Sequence, residues 1–364
     1  MLGIGIVGLP NVGKSTLFNA ITKAMNAESQ NYPFCTIEPN VGIVTVPDKR
    51  LEILSKVVVP KKVSPATVEF IDIAGLVKGA SKGEGLGNQF LSNIRQTAAI
   101  CQVVRCFEDE NIIHVEGSVD PIRDIDIINT ELILADLDTV ERNLVKNQKL
   151  ARSGNKDAKI LVDLFEKLQA HLESSQLIKQ FTMTSDEQEV VKPYQFLTLK
   201  PMIFAANVAE TELATENEFV QKVRTYAETI GSEVITISAQ VESELIDLTP
   251  EEQMEFLTDL GVDEPGLDKL IRAGYKLLDL ITYFTAGVQE VRAWTIKKNT
   301  KAPAAASEIH SDIERGFIRA EVAKIGDFEK YNGWNGVKEK GAMKLEGKEY
   351  IVEDGDVIYF RFNV

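Results

Sequence analysis

The chain has 364 residues, 44% of them hydrophobic, with 40 lysines and arginines against 55 aspartates and glutamates. This length allows two or three domains of about 150 residues each. The formal charge of -15 argues against a general nucleic-acid binder and predicts no sequence-specific DNA partner, because phosphate backbones require clustered Lys and Arg. A local basic patch remains compatible with it.

Cysteine usage and hydropathy predict a cytoplasmic protein. Cys35, Cys101 and Cys106 form no CxxC pair and no zinc-type cluster, so we expect free thiols in a reducing compartment. The N-terminus runs directly into an apolar strand, and we therefore expect no cleaved signal. No uncharged apolar run approaches the roughly 20 residues that span a bilayer, so no membrane partner is predicted.

The first motif is a phosphate loop. Residues 8–15 read Gly-Leu-Pro-Asn-Val-Gly-Lys-Ser between an apolar run and a helix-like segment, which is the context that G-x-x-x-x-G-K-[ST] requires. Its glycines let backbone N–H groups surround a polyphosphate, and Lys14 would reach the β- and γ-phosphates as part of the catalytic machinery. The predicted nucleotide contacts of this loop are Asn11, Val12, Gly13, Lys14, Ser15 and Thr16.

The next elements predict an α/β fold. Strand-like runs at 41–46, 67–71, 100–107, 202–206 and 233–237 alternate with helical stretches, including one at about 216–230. This alternation predicts a doubly wound, mostly parallel sheet. Ligands of such sheets bind at the carboxyl ends of the strands, where the motifs of this chain fall.

Residues 124–191 interrupt the sheet pattern with charged, helical sequence. Apolar spacings mark one helix by Leu134, Leu137, Glu141 and Leu144, and a second by Leu161, Leu164, Phe165, Leu168 and Leu172, on either side of Ser153-Gly154-Asn155. They predict an inserted antiparallel helical hairpin of the coiled-coil type. Two helices lying flat on the sheet are the alternative, but the charged surface and the absence of strands favour a projecting arm.

The last segment predicts a separate α+β unit. Strands are expected at 291–297 and 317–325 around a helix at 303–314, followed by a closing hairpin of 350–352 and 357–362. The predicted domains are therefore a nucleotide-binding domain (1–123 and 192–279), the arm (124–191) and a C-terminal unit (280–364).

Further motifs predict a nucleotide switch that uses Mg2+. Asp72-Ile73-Ala74-Gly75 follows an apolar strand and matches the Asp-x-x-Gly of switch nucleotidases, in which the Asp holds Mg2+ through water and the Gly N–H senses the γ-phosphate. Thr36 stands where a switch threonine would complete the metal shell, although an ordinary loop hydroxyl is the alternative. The predicted Mg2+ ligands are Ser15, Thr36 and Asp72.

The base-reading motif departs from the pattern of guanine binders. GTP-binding relatives carry Asn-Lys-x-Asp, whereas this chain has Asn207-Val208-Ala209-Glu210, with Ser238-Ala239-Gln240 after the following strand. Val208 removes the Lys that covers the base, and Glu210 moves the carboxylate outward by a methylene. A base-reading hydrogen bond is worth only a few kcal/mol, so these changes favour ATP over GTP. The predicted base contacts are Asn207, Val208, Glu210, Ser238, Ala239 and Gln240.

The catalytic position after Asp-x-x-Gly is also unusual. Leu76 stands where a glutamine would orient water, so unassisted hydrolysis should be slow, and either another group or a partner completes the site. His114 is the best local candidate, with a solvated loop histidine as the alternative. Further groups are weaker: Lys78, Lys82 and Arg95 could supply charge to the γ-phosphate or bind an RNA backbone, and His171 and His310 are expected to be structural.

Taken together, these motifs resemble the YchF-type Obg-like ATPases, a branch of the translation-factor class of phosphate-loop GTPases. The resemblance covers residues 8–16, 32–40, 72–76, the glycine-rich 79–87, 207–210, the helical insertion and a C-terminal unit similar to a TGS domain. It implies ATP hydrolysis, association with ribosomes, and a β-grasp fold for the C-terminal unit.

The leading hypothesis is a cytoplasmic ATPase whose nucleotide state orders Thr36 and the Gly75 region and so changes docking on a translation-related partner. A GTP-dependent switch, with Glu210 reaching guanine, is the first alternative. The second is a nucleotide-binding interaction protein with negligible hydrolysis, which Leu76 supports.

Overall fold

The computed structural model describes residues 3–28, 40–73 and 86–363. The strands are β1 (Ile4–Val7), β2 (Val41–Thr45), β3 (Val63–Ser64), β4 (Thr67–Asp72), β5 (Ala99–Arg105), β6 (Met202–Asn207), β7 (Glu233–Ile237), β8 (Leu280–Ala286), β9 (Val291–Lys297), β10 (Phe317–Lys324), β11 (Lys344–Glu346) and β12 (Asp356–Phe362).

The α-helices are α1 (Lys14–Glu28), α2 (Lys49–Val58), α3 (Leu86–Gln96), α4 (Pro121–Arg152), α5 (Lys156–Glu173), α6 (Ser185–Val191), α7 (Glu218–Thr229), α8 (Ala239–Leu245), α9 (Pro250–Asp259), α10 (Gly266–Leu277), α11 (Ala302–Ser307), α12 (Ser311–Arg315), α13 (Ile325–Lys330) and α14 (Trp334–Glu339). Short 3-10 helices cover Ile178–Gln180, Lys192–Tyr194 and Glu210–Glu212.

Two compact units divide the chain. The first comprises Met1–Gly42 and Glu69–Leu270, and the second comprises Ile43–Val68 and Ile271–Val364. The sequence analysis placed residues 43–68 with the nucleotide-binding domain, whereas their contacts group them with the C-terminal residues. The reason is that β3 pairs in parallel with β9, a strand of the C-terminal region that is distant in sequence.

The predicted parallel sheet is present, and its strands β1, β5, β6 and β7 lie wholly in the first unit. Its strand order is β2-β4-β1-β5-β6-β7, and the pairs from β4 to β7 are all parallel. Every residue of β1, β5 and β6 is buried, as expected for central strands covered on both faces. The α/β prediction is confirmed. The loop after β1 lies where the order of strands reverses along the sheet, the usual place for a ligand.

The inserted helical arm is confirmed as an antiparallel pair, α4 and α5. Asp120 caps α4 by accepting from the N–H groups of Ile122 and Arg123, and Asn155 caps α5 by accepting from Ala158 N–H. The stripe predicted for α5 is confirmed in its four buried members, Leu164, Phe165, Leu168 and Leu172, with Leu161 half-buried. The stripe predicted for α4 was wrong at Leu134 and Glu141, which are exposed, although Leu144 is buried. The packed face of α4 instead carries Ile125, Ile128, Leu132, Ile133, Asp136, Val140 and Leu144.

Near the turn of the arm, apolar side chains face outward. Val145 and Leu150 on α4 and Ile160 on α5 are exposed, whereas the first half of α4 packs against β5 and α7. The base of the arm is therefore part of the core of the first unit, and its distal end is not.

The second unit is built on a mixed sheet with the order β11-β10-β12-β8-β9-β3. Its central pair, β12 and β8, is parallel, and each is flanked by an antiparallel neighbour, which is the β-grasp arrangement. The predicted hairpin of 350–352 with 357–362 was wrong: β12 pairs with β10 and β8, and Ile351 bridges to Lys301. The helix predicted at 303–314 is split into α11 and α12.

Within the described ranges, no helix has the length and apolarity needed to cross a membrane.

Candidate functional site

The phosphate loop joins β1 to α1 in a conformation that depends on two left-handed residues. Asn11 has φ of 64° and Gly13 has φ of 96°. A Cβ atom on Gly13 would lie 2.2 Å from Asn207 Nδ2, so both the backbone and the space require glycine. The Gly13 carbonyl accepts from Leu17 N–H at 2.9 Å, and α1 therefore begins directly from the loop with its N–H groups at the site.

Asn207 connects the phosphate loop to the predicted base-reading loop. Its Nδ2 donates to Val12 O at 2.9 Å, and its Oδ1 accepts from Ala239 N–H at 2.9 Å. The side chain is buried, so each of these bonds satisfies a group that water does not reach. The two loops are thus held together by one side chain.

Lys14 and Asp72 form an ion pair beside the loop. Lys14 is buried, and Asp72 ends β4 opposite Ile6 of β1, so the strand register brings the carboxylate to the loop. Ser15 is exposed next to them. Hydroxyl and carboxylate oxygens are hard ligands that suit Mg2+, and the donor set therefore fits that ion.

The rest of the proposed metal shell cannot be placed from the described residues. Thr36 is outside the described residues. Among the residues that are described, no three His, Cys, Asp or Glu side chains cluster as a metal site. Mg2+ in nucleotide enzymes commonly uses one or two protein carboxylates plus substrate phosphates, so the assignment of Ser15, Thr36 and Asp72 stays a prediction.

An open cleft of about 580 Å³ extends from the phosphate loop. It brings together most of the residues that the sequence analysis assigned to the nucleotide: Asn11, Gly13, Thr16, Asn207, Val208, Glu210, Ser238, Ala239 and Gln240. Val12 is buried beneath it and contributes its carbonyl to Asn207. The cleft thus runs from the phosphate loop to the predicted base contacts.

The predicted base contacts occupy the far end of this cleft. Glu210 begins a 3-10 helix and is half-buried, Val208 is buried, and Gln240 Nε2 donates to Glu244 Oε1 at 3.1 Å. Ser238 and Ala239 lie at the start of α8. A carboxylate and an apolar side chain therefore flank the space where a base would lie.

The sequence analysis missed part of the cleft wall. Phe107, Glu108, Asp109 and Ile112, in the loop after β5, line it, as do Ser243 and Glu244 of α8. This part of the wall was predictable, because β5 neighbours β1 in the sheet and the loops after both strands leave the same edge. From this loop, however, only His114 was proposed as a site residue.

His114 is buried and engaged at both ring nitrogens. Nε2 lies 2.8 Å from Asp124 Oδ2, and Nδ1 accepts from Glu116 N–H at 3.2 Å. Because Nδ1 accepts, the neutral ring carries its proton on Nε2 and donates to Asp124. Burial raises the pKa of Asp124, and the bond from His114 opposes that change.

The solvated-loop alternative for His114 is therefore wrong, because only 6% of the residue is exposed. In this arrangement neither nitrogen is available to water, and a catalytic role requires the loop to rearrange. Asn11 Nδ2 donates to Ile113 O at 3.1 Å, so the phosphate loop contacts the residue directly before His114.

The remaining candidates separate into two groups. Gly75, Leu76, Lys78 and Lys82 lie outside the described residues. Arg95 is described on α3, where it donates to Thr139 Oγ1 at 3.3 Å, and it does not line the cleft. His171 bonds to Leu177 O, and His310 caps α12, as expected of structural residues.

A central parallel strand, a phosphate loop, a following helix and an aspartate at the end of the neighbouring strand define a phosphate-loop nucleotide-binding protein of the GTPase class. A family model described as 50S ribosome-binding GTPase matches residues 3–135. A second, for the C-terminal region of YchF GTPases and described as a protein of unknown function, matches residues 280–363.

Full-length relatives place the chain more narrowly. It is 58% identical over 365 residues to the ribosome-binding ATPase YchF of Bacillus subtilis, covering 100% of both chains. It is 57% identical over 360 residues to the protein of that name from Haemophilus ducreyi, covering 99% of each. The chain belongs to the YchF family of Obg-like GTPases.

Solved structures agree with this assignment. The Schizosaccharomyces pombe YchF GTPase superposes with a TM-score of 0.90 at 41% identity, covering 99% of this chain and 97% of that one. A GTP-binding protein from Pyrococcus horikoshii has a TM-score of 0.60 at 19% identity, which speaks for the fold alone.

Proposed function

We propose that this protein hydrolyses ATP, in preference to GTP, to ADP and phosphate with Mg2+, and that it acts as a nucleotide-dependent switch. The observation that carries the proposal is the bridge that Asn207 makes between Val12 of the phosphate loop and Ala239. Asn207 is followed closely by Val208 and Glu210, which stand in place of Lys and Asp. These replacements weaken guanine recognition while leaving the phosphate site intact.

Lys14 has to change partners when a nucleotide binds. Its ammonium group is paired with Asp72, and polyphosphate oxygens would draw it toward the β- and γ-phosphates. Asp72 would then be free to act with Ser15 and Thr36 as a ligand set for Mg2+. When bound, Mg2+ neutralises charge on the phosphates.

Placement of the attacking water is the step for which no residue of the described ranges offers a ready group. Leu76 cannot orient water, and His114 donates to Asp124. Positioning of the nucleophile and of charge dominates phosphoryl transfer, so we expect slow turnover by the isolated protein. Release of His114 from Asp124, or a group from a partner, would complete the site.

The proposed partner is the ribosome or a translation-related assembly in the cytoplasm. Relatives at 57% and 58% identity carry the name ribosome-binding ATPase. The arm ends in exposed apolar side chains, Val145, Leu150 and Ile160, which could contribute to such docking. The switch regions around Thr36 and Gly75 would report the nucleotide state to these surfaces.

A GTP-dependent switch is the second candidate, because the S. pombe relative is called a GTPase. The substitution Glu210→Asp separates the two. If GTP is the native ligand, shortening the carboxylate should barely alter GTP affinity. If ATP is the native ligand, the shorter side chain should markedly raise the affinity for GTP.

Steady-state hydrolysis with and without ribosomes tests the proposal. The wild type should release phosphate from ATP slowly when alone, faster with ribosomes, and at background rates when Mg2+ is chelated or Lys14 is replaced in Lys14→Ala. Lys23→Ala is the matched control, because Lys23 lies on the same helix in an exposed pair with Asp247. Turnover that ribosomes do not stimulate, together with a Lys14→Ala protein that keeps every cellular role, would favour the interaction-protein alternative.

A further inference from the structure

A buried arginine lies beneath the loop that lines the nucleotide cleft. Arg105 is the last residue of β5, and only 1% of it is exposed. Arginine is rarely buried without a structural reason, because its guanidinium loses hydration that must be replaced by other groups. The contacts of Arg105 show what replaces it.

Three nitrogens of Arg105 donate to backbone carbonyls of residues 107–112, here called the β5 loop. Nε donates to Phe107 O at 3.1 Å, Nη1 to Ile112 O at 2.9 Å, and Nη2 to Asp109 O at 3.2 Å. The guanidinium also lies 4.7 Å from the centre of the Phe107 ring. A planar group with five donors can satisfy three diverging carbonyls at once, whereas a lysine ammonium is a compact charge.

The other side of the β5 loop faces the nucleotide cleft. Phe107, Asp109 and Ile112 line the cleft, so the residues whose carbonyls bind Arg105 are also wall residues. Directly after the loop, Ile113 O accepts from Asn11 of the phosphate loop. The conformation of this wall is therefore fixed from beneath by Arg105 and at one end by Asn11.

We infer that Arg105 is a positioning residue for the nucleotide base. It holds the β5 loop so that Phe107 and Ile112 present an apolar surface to a purine ring, while the phosphates are bound by the phosphate loop itself. The inference rests on the proposed nucleotide-binding function and deepens it by assigning base affinity to a residue outside the Asn207–Glu210 motif. Its specific consequence is that replacing Arg105 weakens the binding of ligands that have a base and leaves the binding of ligands without a base nearly unchanged.

The test uses Arg105→Lys, which keeps the charge but not the fork of donors. Titrations with ATP and with inorganic tripolyphosphate, both with Mg2+, should show about a tenfold or greater loss of ATP affinity, the equivalent of one lost buried contact. Tripolyphosphate affinity should change by about twofold or less, because the side-chain hydrogen bonds of Arg105 go to Phe107, Asp109 and Ile112 and not to the phosphate loop. Arg224→Lys is the matched control, since Arg224 also donates to a backbone carbonyl, Val234 O, but Val234 does not line this cleft.

A measurement on the wild type guards against a variant that fails to fold. Bound ATP should slow amide hydrogen exchange in residues 107–113, and tripolyphosphate should leave that exchange nearly unchanged. Equal losses of ATP and tripolyphosphate affinity in Arg105→Lys, unchanged ATP affinity, or an absence of ATP protection in residues 107–113 would each overturn the inference. A wild type that binds neither ATP nor GTP would instead overturn the proposed function itself, and the inference with it.

Discussion

Asn207 shows how much of this site depends on a single amide group. It donates to Val12 O of the phosphate loop and accepts from Ala239 N–H. Gly13 has no room for a side chain, because Asn207 occupies the space next to it. Both ends of the amide are used in a buried place, so no other side chain of similar size reproduces the arrangement.

The substitution Asn207→Asp tests this bridge. Aspartate keeps an acceptor for Ala239 N–H but places a carboxylate against Val12 O, so the phosphate loop loses its donor. We expect nucleotide affinity to fall at least about tenfold, measured by titration with ATP. Asn129→Asp serves as control, because it removes a buried amide donor to Tyr226 OH away from the cleft. Unchanged ATP affinity in Asn207→Asp would show that the bridge is dispensable.

Glu242 on α8 is a second residue whose environment has a measurable consequence. It is buried and accepts from Gly266 N–H at 2.8 Å, at the start of α10. Its pKa is raised from 4.5 to about 7, mainly by burial. Asp268 acts in the same direction, and the backbone hydrogen bonds and Lys269 act in the opposite direction. The native state therefore binds more protons than the unfolded state between these two values, and its stability falls as pH rises through that window.

The substitution Glu242→Gln removes this titration. The amide stays neutral and keeps an oxygen for Gly266 N–H, so from about pH 5 to about pH 8 the unfolding free energy of the variant should gain on that of the wild type by about 2 to 3 kcal/mol. Urea unfolding at the two pH values measures the difference. Glu255→Gln, exposed on α9, should run parallel to the wild type. Parallel curves for Glu242→Gln as well would contradict the assignment.

At the scale of elements, a buried carboxylate anchors the helical arm. Asp136 of α4 is fully buried and accepts from Leu197 N–H at 2.9 Å, Thr198 N–H at 2.8 Å and Thr198 Oγ1 at 2.7 Å. These bonds attach the middle of α4 to the segment that leads into β6. Burial nevertheless raises the pKa of Asp136 above its ordinary value.

Removing this anchor should be costly. Asp136→Ala leaves three buried donors without an acceptor, and we expect the unfolding free energy to drop by about 3 kcal/mol or more. Asp138→Ala, two residues away, removes only an exposed pair with Arg142 and should change it by about 0.5 kcal/mol or less. Chemical denaturation of both variants measures the contrast. Equal effects would mean that the Asp136 bonds add little.

Some helices, strands and loops of this protein were predictable from the sequence, and others were not. The phosphate loop and the apolar strands were predictable, because a local motif and continuous hydrophobic runs determine them. The face of α4 was not, since Asp136 is buried as an acceptor while Leu134 is exposed, which reverses the usual pattern. The role of Arg105 was not predictable, because it binds backbone carbonyls of the β5 loop, and carbonyls carry no sequence signature.

The predicted pairing of the C-terminal strands was wrong because pairing depends on residues that are distant in sequence. The turn at residues 353–356 is present, with Asp356 N–H donating to Glu353 O, so the local prediction was sound. The strand before it, however, pairs elsewhere: Val352 N–H donates to Thr300 O, and Ala302 N–H donates to Tyr350 O. A turn signal does not determine which distant strand a segment joins.

In the whole molecule, the second unit is formed by two segments that are far apart in the sequence. Residues 43–68, between the phosphate loop and Asp72, supply α2 and β3 to the second unit. Leu51 and Leu54 of α2 are buried, and β3 pairs with β9. Residues 280–364 therefore cannot be removed without taking away partners of this segment, and we expect the units to fold interdependently.

Selection of adenine over guanine by the cleft is the proposal on which the other functional conclusions depend. Calorimetric titration of the wild type with ATP and with GTP, at equal Mg2+ concentration, tests it most directly. We predict tighter binding of ATP, by an amount comparable to one base-reading hydrogen bond, or roughly tenfold. Equal affinity, or tighter binding of GTP, would contradict the claim.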